Sequence, residues 1–237
     1  MVTGGLRFYG HTIGILMVNT RFPRIIGDIG NANTFSFPVR YIVVKEVTPF
    51  NVADQPDRAR RTILKPMIES AQELAQEGVN AITTSCGFLA LFQKEIANSV
   101  DVPVFTSSLM QIPMVNLALG GNRKIGVLTA DASSLTKEHL QAVGVDDSIS
   151  LVIQGLENAP EFSRSIRRNG IDMDVDKVRL EVIERSMKLR ESNVGAIVFE
   201  CSNLPPYAQA VRSATGLPVF DLVSLVNYVH DAVAKSP

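Results

Sequence analysis

The chain predicts an α/β fold of two pseudo-symmetric lobes, each a short parallel sheet flanked by helices, with the functional cleft between them. Three observations predict it. Short apolar, β-branched segments alternate with amphipathic stretches. One half of the sequence is echoed in the other at a nearly constant offset. The two cysteines of the chain, Cys86 and Cys201, fall at matching positions of that repeat.

The strand-like segments come first, because buried parallel strands read as short continuous apolar runs. They are Ile13–Val18, Arg40–Val44, Ala81–Thr84, Val104–Phe105, Ile125–Thr129, Ser150–Ile153, Ala196–Phe199 and Val219–Phe220. Between them, Arg58–Glu77 and Val175–Glu191 carry apolar residues at three- and four-residue spacing (Ile63, Met67, Ala71, Leu74; Val178, Val182, Ile183, Met187). That spacing predicts a helix with one buried face. Each stops beside a turn signal, Glu77-Gly78 or Ser192-Asn193. Leu222–Ala234 is a last amphipathic helix.

The repeat sets the domain organisation. Val79–Cys86 aligns with Val194–Cys201 at an offset of 115 residues, and Leu89, Phe92, Ile96 and Pro103-Val104-Phe105 continue onto Leu204, Tyr207, Val211 and Pro218-Val219-Phe220. Ile13-Gly14-Ile15-Leu16 matches Ile125-Gly126-Val127-Leu128 at an offset of 112. The expected division is residues 1–103 with 213–237 as the lobe carrying Cys86, and residues 104–212 as the lobe carrying Cys201.

Composition narrows the function classes. With 46% hydrophobic residues the chain can build a real core, and a net charge of −1 gives no basic surplus for nucleic acid or an anionic membrane. Met1–Gly10 does not read as a signal peptide, and no apolar run nears the roughly 20 residues of a membrane helix. The expectation is a soluble, cytoplasmic protein whose cysteines are free thiols. His11, His139 and His230 share no metal-ligand spacing, and no CxxC or phosphate-binding glycine motif is present, so neither structural zinc nor a nucleotide cofactor is expected.

Each cysteine ends a strand and begins a helix-like segment, Gly87-Phe88-Leu89 after Cys86 and Ser202-Asn203-Leu204-Pro205-Pro206 after Cys201. Ligands of open α/β sheets bind at the carboxyl ends of strands. Free N–H groups at a helix start favour thiolate over thiol, and would also hold a substrate carboxylate. The two cysteines are therefore read as a catalytic pair. Glu200, next to Cys201, would raise that thiol's pKa if it shared the site, but strand neighbours point to opposite faces.

The second of these motifs, Cys201-Ser202-Asn203-Leu204-Pro205, resembles the Cys-Thr-His-x-Pro motif of the aspartate/glutamate racemase superfamily. That superfamily also includes hydantoin racemases, maleate isomerases and arylmalonate decarboxylases. Ile125–Ala130 resembles its strand whose terminal threonine binds the substrate carboxylate. The first motif departs: Cys86-Gly87-Phe88-Leu89 stands where amino-acid racemases have Cys-Asn-Thr-Ala, giving a more apolar pocket. The resemblance implies a cofactor-independent isomerase, a racemase or epimerase, in which one cysteine takes an α-proton from a small carboxylic acid or amino-acid derivative and the other returns one. It also implies a homodimer or higher homo-oligomer. On it, Thr129, Ser133 and less directly Ser134, Ser202 and Asn203 bind substrate, with Gly87 and Phe88 supplying backbone N–H groups. The loop after the first strand adds Asn19 as a polar contact, and Arg24 or Arg21 from that loop, or Arg40 from the next strand, is the candidate carboxylate clamp.

Two alternatives stay open: a maleate-type isomerase or arylmalonate-type decarboxylase on the same fold, and a non-catalytic small-molecule binding protein. The basic clusters Arg58–Arg61 and Arg164–Arg168 are read as solvated faces, the second within a segment, Gln154–Asp176, that could form a flap.

Overall fold

The computed structural model describes residues 4–6, 9–10, 13–53 and 56–234. His11 and part of Met1–Gly10 lie outside the described residues.

A parallel strand covered on both faces must be apolar along its whole length. All six residues of β1 (Ile13–Val18) are buried, and β1 sits inside a parallel sheet ordered β2-β1-β3-β4 with β2 (Val39–Val44), β3 (Ala81–Thr84) and β4 (Val104–Phe105). The second sheet has the same order. There β5 (Lys124–Thr129) lies between β6 (Leu151–Gly155) and β7 (Val194–Phe199), with β8 (Val219–Phe220) beyond β7.

The duplication extends to hydrogen-bond register. Ile13 pairs with Ala81 and Ile82 with Val104; in the second sheet Ile125 pairs with Ala196 and Ile197 with Val219. The offsets of 112 and 115 are thus two halves of one superposition.

The helices, in chain order, are α1 (Pro56–Gln76), α2 (Gln93–Ala97), α3 (Ile112–Ala118), α4 (Lys137–Ala142), α5 (Pro160–Phe162), α6 (Val175–Glu191), α7 (Ala208–Thr215) and α8 (Leu222–Val233). The apolar stripe of α1 (Ala59, Ile63, Met67, Ala71, Leu74) packs with Leu16, Val18 and Ile82. On α6, Val178, Val182 and Leu189 pack with Leu128, Ile197 and Phe199. One device recurs in both lobes. A Cβ on Gly14 would lie 2.9 Å from Leu74 Cδ1, and one on Gly126 would lie 3.1 Å from Leu189 Cδ1. A glycine in each central strand therefore lets a helix leucine seat directly on the sheet.

Two boundary expectations are corrected. Val104–Phe105 pairs with β3 and Val219–Phe220 with β7, so the divisions at 103/104 and 212/213 had assigned the last strand of each lobe to the other one. The chain crosses over only after those strands. Leu109, Ile112 and Val115, leading into and along α3, pack on Ile125, Val127 and Ala196 of the second sheet. Leu222, Leu225, Val226 and Val229 of α8 pack on Ile13, Ile15 and Ala81 of the first. Each lobe therefore covers one sheet face with the segment that leaves the other lobe's last strand. Among the described residues no helix is long and apolar enough to cross a membrane.

The paired glycines make a stability prediction. Gly14→Val should lower unfolding free energy by about 1–3 kcal/mol through overpacking. Combined with Leu74→Ala, it should cost less than the sum of the single changes, because both act on one contact. Urea unfolding of the four proteins measures this; strict additivity would contradict the packing account.

Candidate active site

The carboxyl ends of the two sheets face each other across a cavity of about 480 Å³. Its walls are built by the segments at and just past the strand ends. The first lobe gives Val18, Thr20, Phe22 and Arg24 from the end of β1, Phe50, Val52 and Ala53 after β2, and Ser85–Phe88 after β3. The second lobe gives Ala130, Asp131 and Ser134 after β5, Ile166–Arg168 after β6, and Glu200–Asn203 after β7. Cys86, Cys201, Gly87, Phe88, Ser202, Asn203 and Arg24 thus meet in one cavity, as does Ser134. Thr129, Ser133 and Asn19 are not on its wall.

The reasons for those three are local. Thr129 is fully buried, and its hydroxyl donates to Glu200 Oε2 at 2.7 Å rather than waiting for a substrate carboxylate. Ser133 turns its hydroxyl to Asp131 Oδ1 at 2.6 Å. Asn19 donates its side-chain amide to the Lys45 carbonyl at 3.2 Å on the exposed surface. Arg40 is spent elsewhere: its Nε and Nη2 donate to both oxygens of Glu77, at 2.6 and 2.9 Å. Arg21 is off the wall, and its backbone N–H donates to Asn169 Oδ1 at 2.6 Å.

Both cysteines are free thiols. Their surroundings differ. The backbone N–H groups of Phe88 and Leu89 face the Cys86 sulfur and pull its pKa down, but burial and the nearby Glu200 outweigh them and push it up to about 12. Cys201 is pushed well above the usual thiol range, first by burial and then by Glu200. The expectation that helix starts would depress the thiols is overturned. The segments after them are short turns of 3-10 helix, Gly87–Phe92 and Pro205–Tyr207, and desolvation dominates.

Cys201 gives its S–H to Asn203 Oδ1 at 3.6 Å. Asn203 Nδ2 in turn donates to Asp28 Oδ2 at 2.7 Å, and Arg24 Nη1 donates to Asp28 Oδ1 at 2.7 Å. Arg24 Nη2 also donates to Thr20 Oγ1 at 2.9 Å. This chain of bonds crosses from the second lobe to the first. A second crossing runs from the Ser202 hydroxyl to the Ser85 carbonyl at 2.5 Å.

Glu200 is in the site after all. β7 ends at Phe199, so strand alternation no longer separates residue 200 from residue 201, and both line the cavity. Glu200 is 1% exposed, and burial pushes its carboxyl up to about 7 against the hydrogen bonds from Thr129 and the Ala130 N–H. Its Oε1 has no hydrogen-bond partner. Gly87 makes room for it: a Cβ there would lie 2.2 Å from Oε1 and 2.1 Å from the Glu200 carbonyl oxygen.

Sequence reasoning missed part of the wall. Arg164–Arg168 is not a uniform solvated face: Arg164 is exposed and pairs with Glu161 and Asp172, whereas Arg167 turns inward to Asp131 at the cavity. A π-helical turn, Ser163–Arg167, sets this up, and inserted residues of that kind leave no periodic trace. Phe22 packs with Phe162 and Ile166 of the other lobe, so the first-strand loop is part of the second lobe's core. Its Gly, Asn and Pro content marked the loop but not Phe22 or Asp28. His139 is buried against the edge of Phe88, and burial pushes its pKa down to about 4. Among the described residues no group of His, Cys, Asp and Glu has a metal-binding arrangement.

Known proteins share this architecture and, separately, this sequence. No protein-family model matches the chain. In structure the chain is similar to allantoin racemase from Klebsiella pneumoniae (TM-score 0.64, 14% identity, 93% of this chain and 86% of that one). It is also similar to arylmalonate decarboxylase (TM-score 0.57, 12% identity, 95% and 93%). The two-lobed racemase-type fold is thereby shown. In sequence the relatives are different. Dimethylsulfoniopropionate lyase 7 of Emiliania huxleyi is 33% identical over 95% of this chain and 68% of its own length. The dimethylsulfoniopropionate lyase of Durusdinium sp. clade D is 31% identical over 95% and 76%. Across four relatives at 31–33% identity, the chain spans 61–76% of the relative's length. The expectation of an isomerase is overturned, because these relatives are lyases. On the fold of aspartate/glutamate racemases, the chain belongs to the dimethylsulfoniopropionate lyase family.

Proposed function

We propose that the chain is a carbon–sulfur lyase that cleaves dimethylsulfoniopropionate, with Cys86 as the base. The observation that carries this reading is the unequal setting of two positionally equivalent thiols. A racemase must pass a proton in both directions, so each sulfur has to serve as thiolate and as thiol. Here Cys86 faces two N–H donors, which favour an anion, while Cys201 faces one, from Asn203, and gives its own proton to the side-chain oxygen of that residue, which favours the neutral thiol. The asparagine cannot take that proton. One base and one fixed thiol suit elimination, which needs a proton removed from one carbon only.

The substrate is a zwitterion, a carboxylate with a dimethylsulfonium group on the β-carbon. Arg24, anchored on Asp28 and Thr20 and lining the cavity, receives the carboxylate. The Cys86 thiolate takes a proton from the α-carbon. The released pair forms the Cα–Cβ double bond, the Cβ–S bond breaks, and its electrons leave on sulfur. The products are neutral dimethyl sulfide and acrylate, with the proton on Cys86 returning to water. The reaction is redox-neutral, and the leaving group departs without needing a proton. Phe22, Phe50, Val52 and Phe88 give the S-methyl groups an apolar wall.

Headspace measurement of dimethyl sulfide tests the assignment. Cys86→Ser should lower kcat/KM by about 10²–10⁴-fold, the usual worth of a positioned base. Cys201→Ser, whose hydroxyl can still donate to Asn203, should lose less. The reverse order would overturn the roles, and no release from the wild type would overturn the lyase reading.

The pH profile is a second test. Because the Cys86 thiol is pushed up to about 12, only a small fraction is thiolate at neutral pH. That fraction grows tenfold per pH unit, so kcat/KM should rise with a slope near one between about pH 7.5 and 9.5. A plateau across that range would mean a thiol already ionised.

A further inference from the structure

Resting on the lyase reading, we infer that the Glu200 carboxylate selects the substrate by charge, its negative charge behind the cavity wall attracting the sulfonium end. Glu200 is a specificity-determining residue in this role, distinct from the base.

The charges lining the cavity point to it. Asp131 is paired with Arg167, Arg24 is held by Asp28 behind it and is the group that meets the carboxylate end, and Arg168, the remaining cation of the wall, is exposed. Glu200 has no cation of the protein beside it in any ion pair among the described residues. Its Oε2 is anchored by Thr129, but Oε1 is buried with no hydrogen-bond partner. A buried carboxylate oxygen left in that state is costly unless something compensates it.

A sulfonium ion fits the deficit chemically. It carries a full positive charge but has no N–H or O–H to donate, so it needs an anion and apolar contacts rather than hydrogen-bond acceptors in a defined array. The wall supplies both, a carboxylate beside Phe22, Phe50 and Phe88. Gly87 is part of the device, since any side chain there would collide with Oε1. The repeat places neutral Ser85 at the equivalent position of the first lobe, so the negative charge stands on one side of the cavity only. Once the C–S bond breaks the sulfur is neutral, and this attraction to dimethyl sulfide is lost. The pairing therefore serves binding and selection more than the barrier itself.

The test compares two non-reacting inhibitors of one shape: trimethylammonio-propionate, and its neutral carbon isostere bearing tert-butyl in place of trimethylammonium. The wild type should bind the cationic compound at least tenfold more tightly. Glu200→Gln should bring the two inhibition constants close to parity, and Glu200→Asp, which keeps the charge, should retain a preference. For dimethylsulfoniopropionate, Glu200→Gln should raise KM by a larger factor than it lowers kcat, a split that a merely structural role would not produce. The ratio of two constants is read on the folded protein alone, so partial instability of a variant does not blur it. Equal affinities in the wild type would overturn the inference without any variant. A preference that survives in Glu200→Gln would overturn it while leaving the lyase reading standing. A wild type that releases no dimethyl sulfide would overturn both.

Discussion

Gly87 and Glu200 come from different lobes, and the backbone of the first lies so close to the side chain of the second that no Cβ fits between them. Around that contact the two sheets present their carboxyl ends to one another, and the Ser202 hydroxyl reaches the Ser85 carbonyl beside it. Asn203 reaches Asp28 nearby. These crossings bring Cys86 and Cys201 to one cavity and hold a carboxylate with them. Without the glycine, the lobes would stand further apart or Glu200 would turn away, and in either case the electrostatics of both thiols would change.

The same contact marks where the duplicated halves differ. Strand order and register repeat between the lobes, as does the seating of a leucine on a strand glycine. Divergence is concentrated in the residues just past the strands. Ser85 answers to Glu200, Gly87 to Ser202 and Phe88 to Asn203. One lobe thereby turns two N–H donors and an aromatic wall toward its cysteine, and the other a single N–H, an amide oxygen and a carboxylate whose charge reaches both thiols. A fold shared with racemases can in this way support a one-base elimination while the backbone stays symmetrical.

β1 and β7 were legible because every residue in them is buried and the run is apolar throughout, and α6 because its apolar face repeats every three or four residues. The cysteine pairing was legible because the offset of 115 passes through β3, β4, β7 and β8 alike. Glu200 was not, since the alternation rule applies inside a strand and β7 stops one residue earlier. Nor was Arg167, which a π-helical turn aims at Asp131. Thr129 sits where the resemblance put it, yet its hydroxyl serves Glu200. The reaction class was out of reach for a chemical reason: two thiols flanking a carboxylate substrate suit racemisation, decarboxylation and elimination equally, and the likeness to lyases is what set the isomerase aside.

That asymmetry can be read directly, because the chain has two cysteines and no more. Protein labelled with carbon-13 at the cysteine β-carbon gives two resonances, assigned with the single serine variants and followed through a pH titration. Both sulfurs should be protonated at neutral pH, and Cys86 should ionise first as the pH is raised. A titration in which Cys201 ionises before Cys86, or in which either is already thiolate at pH 7, would contradict the account.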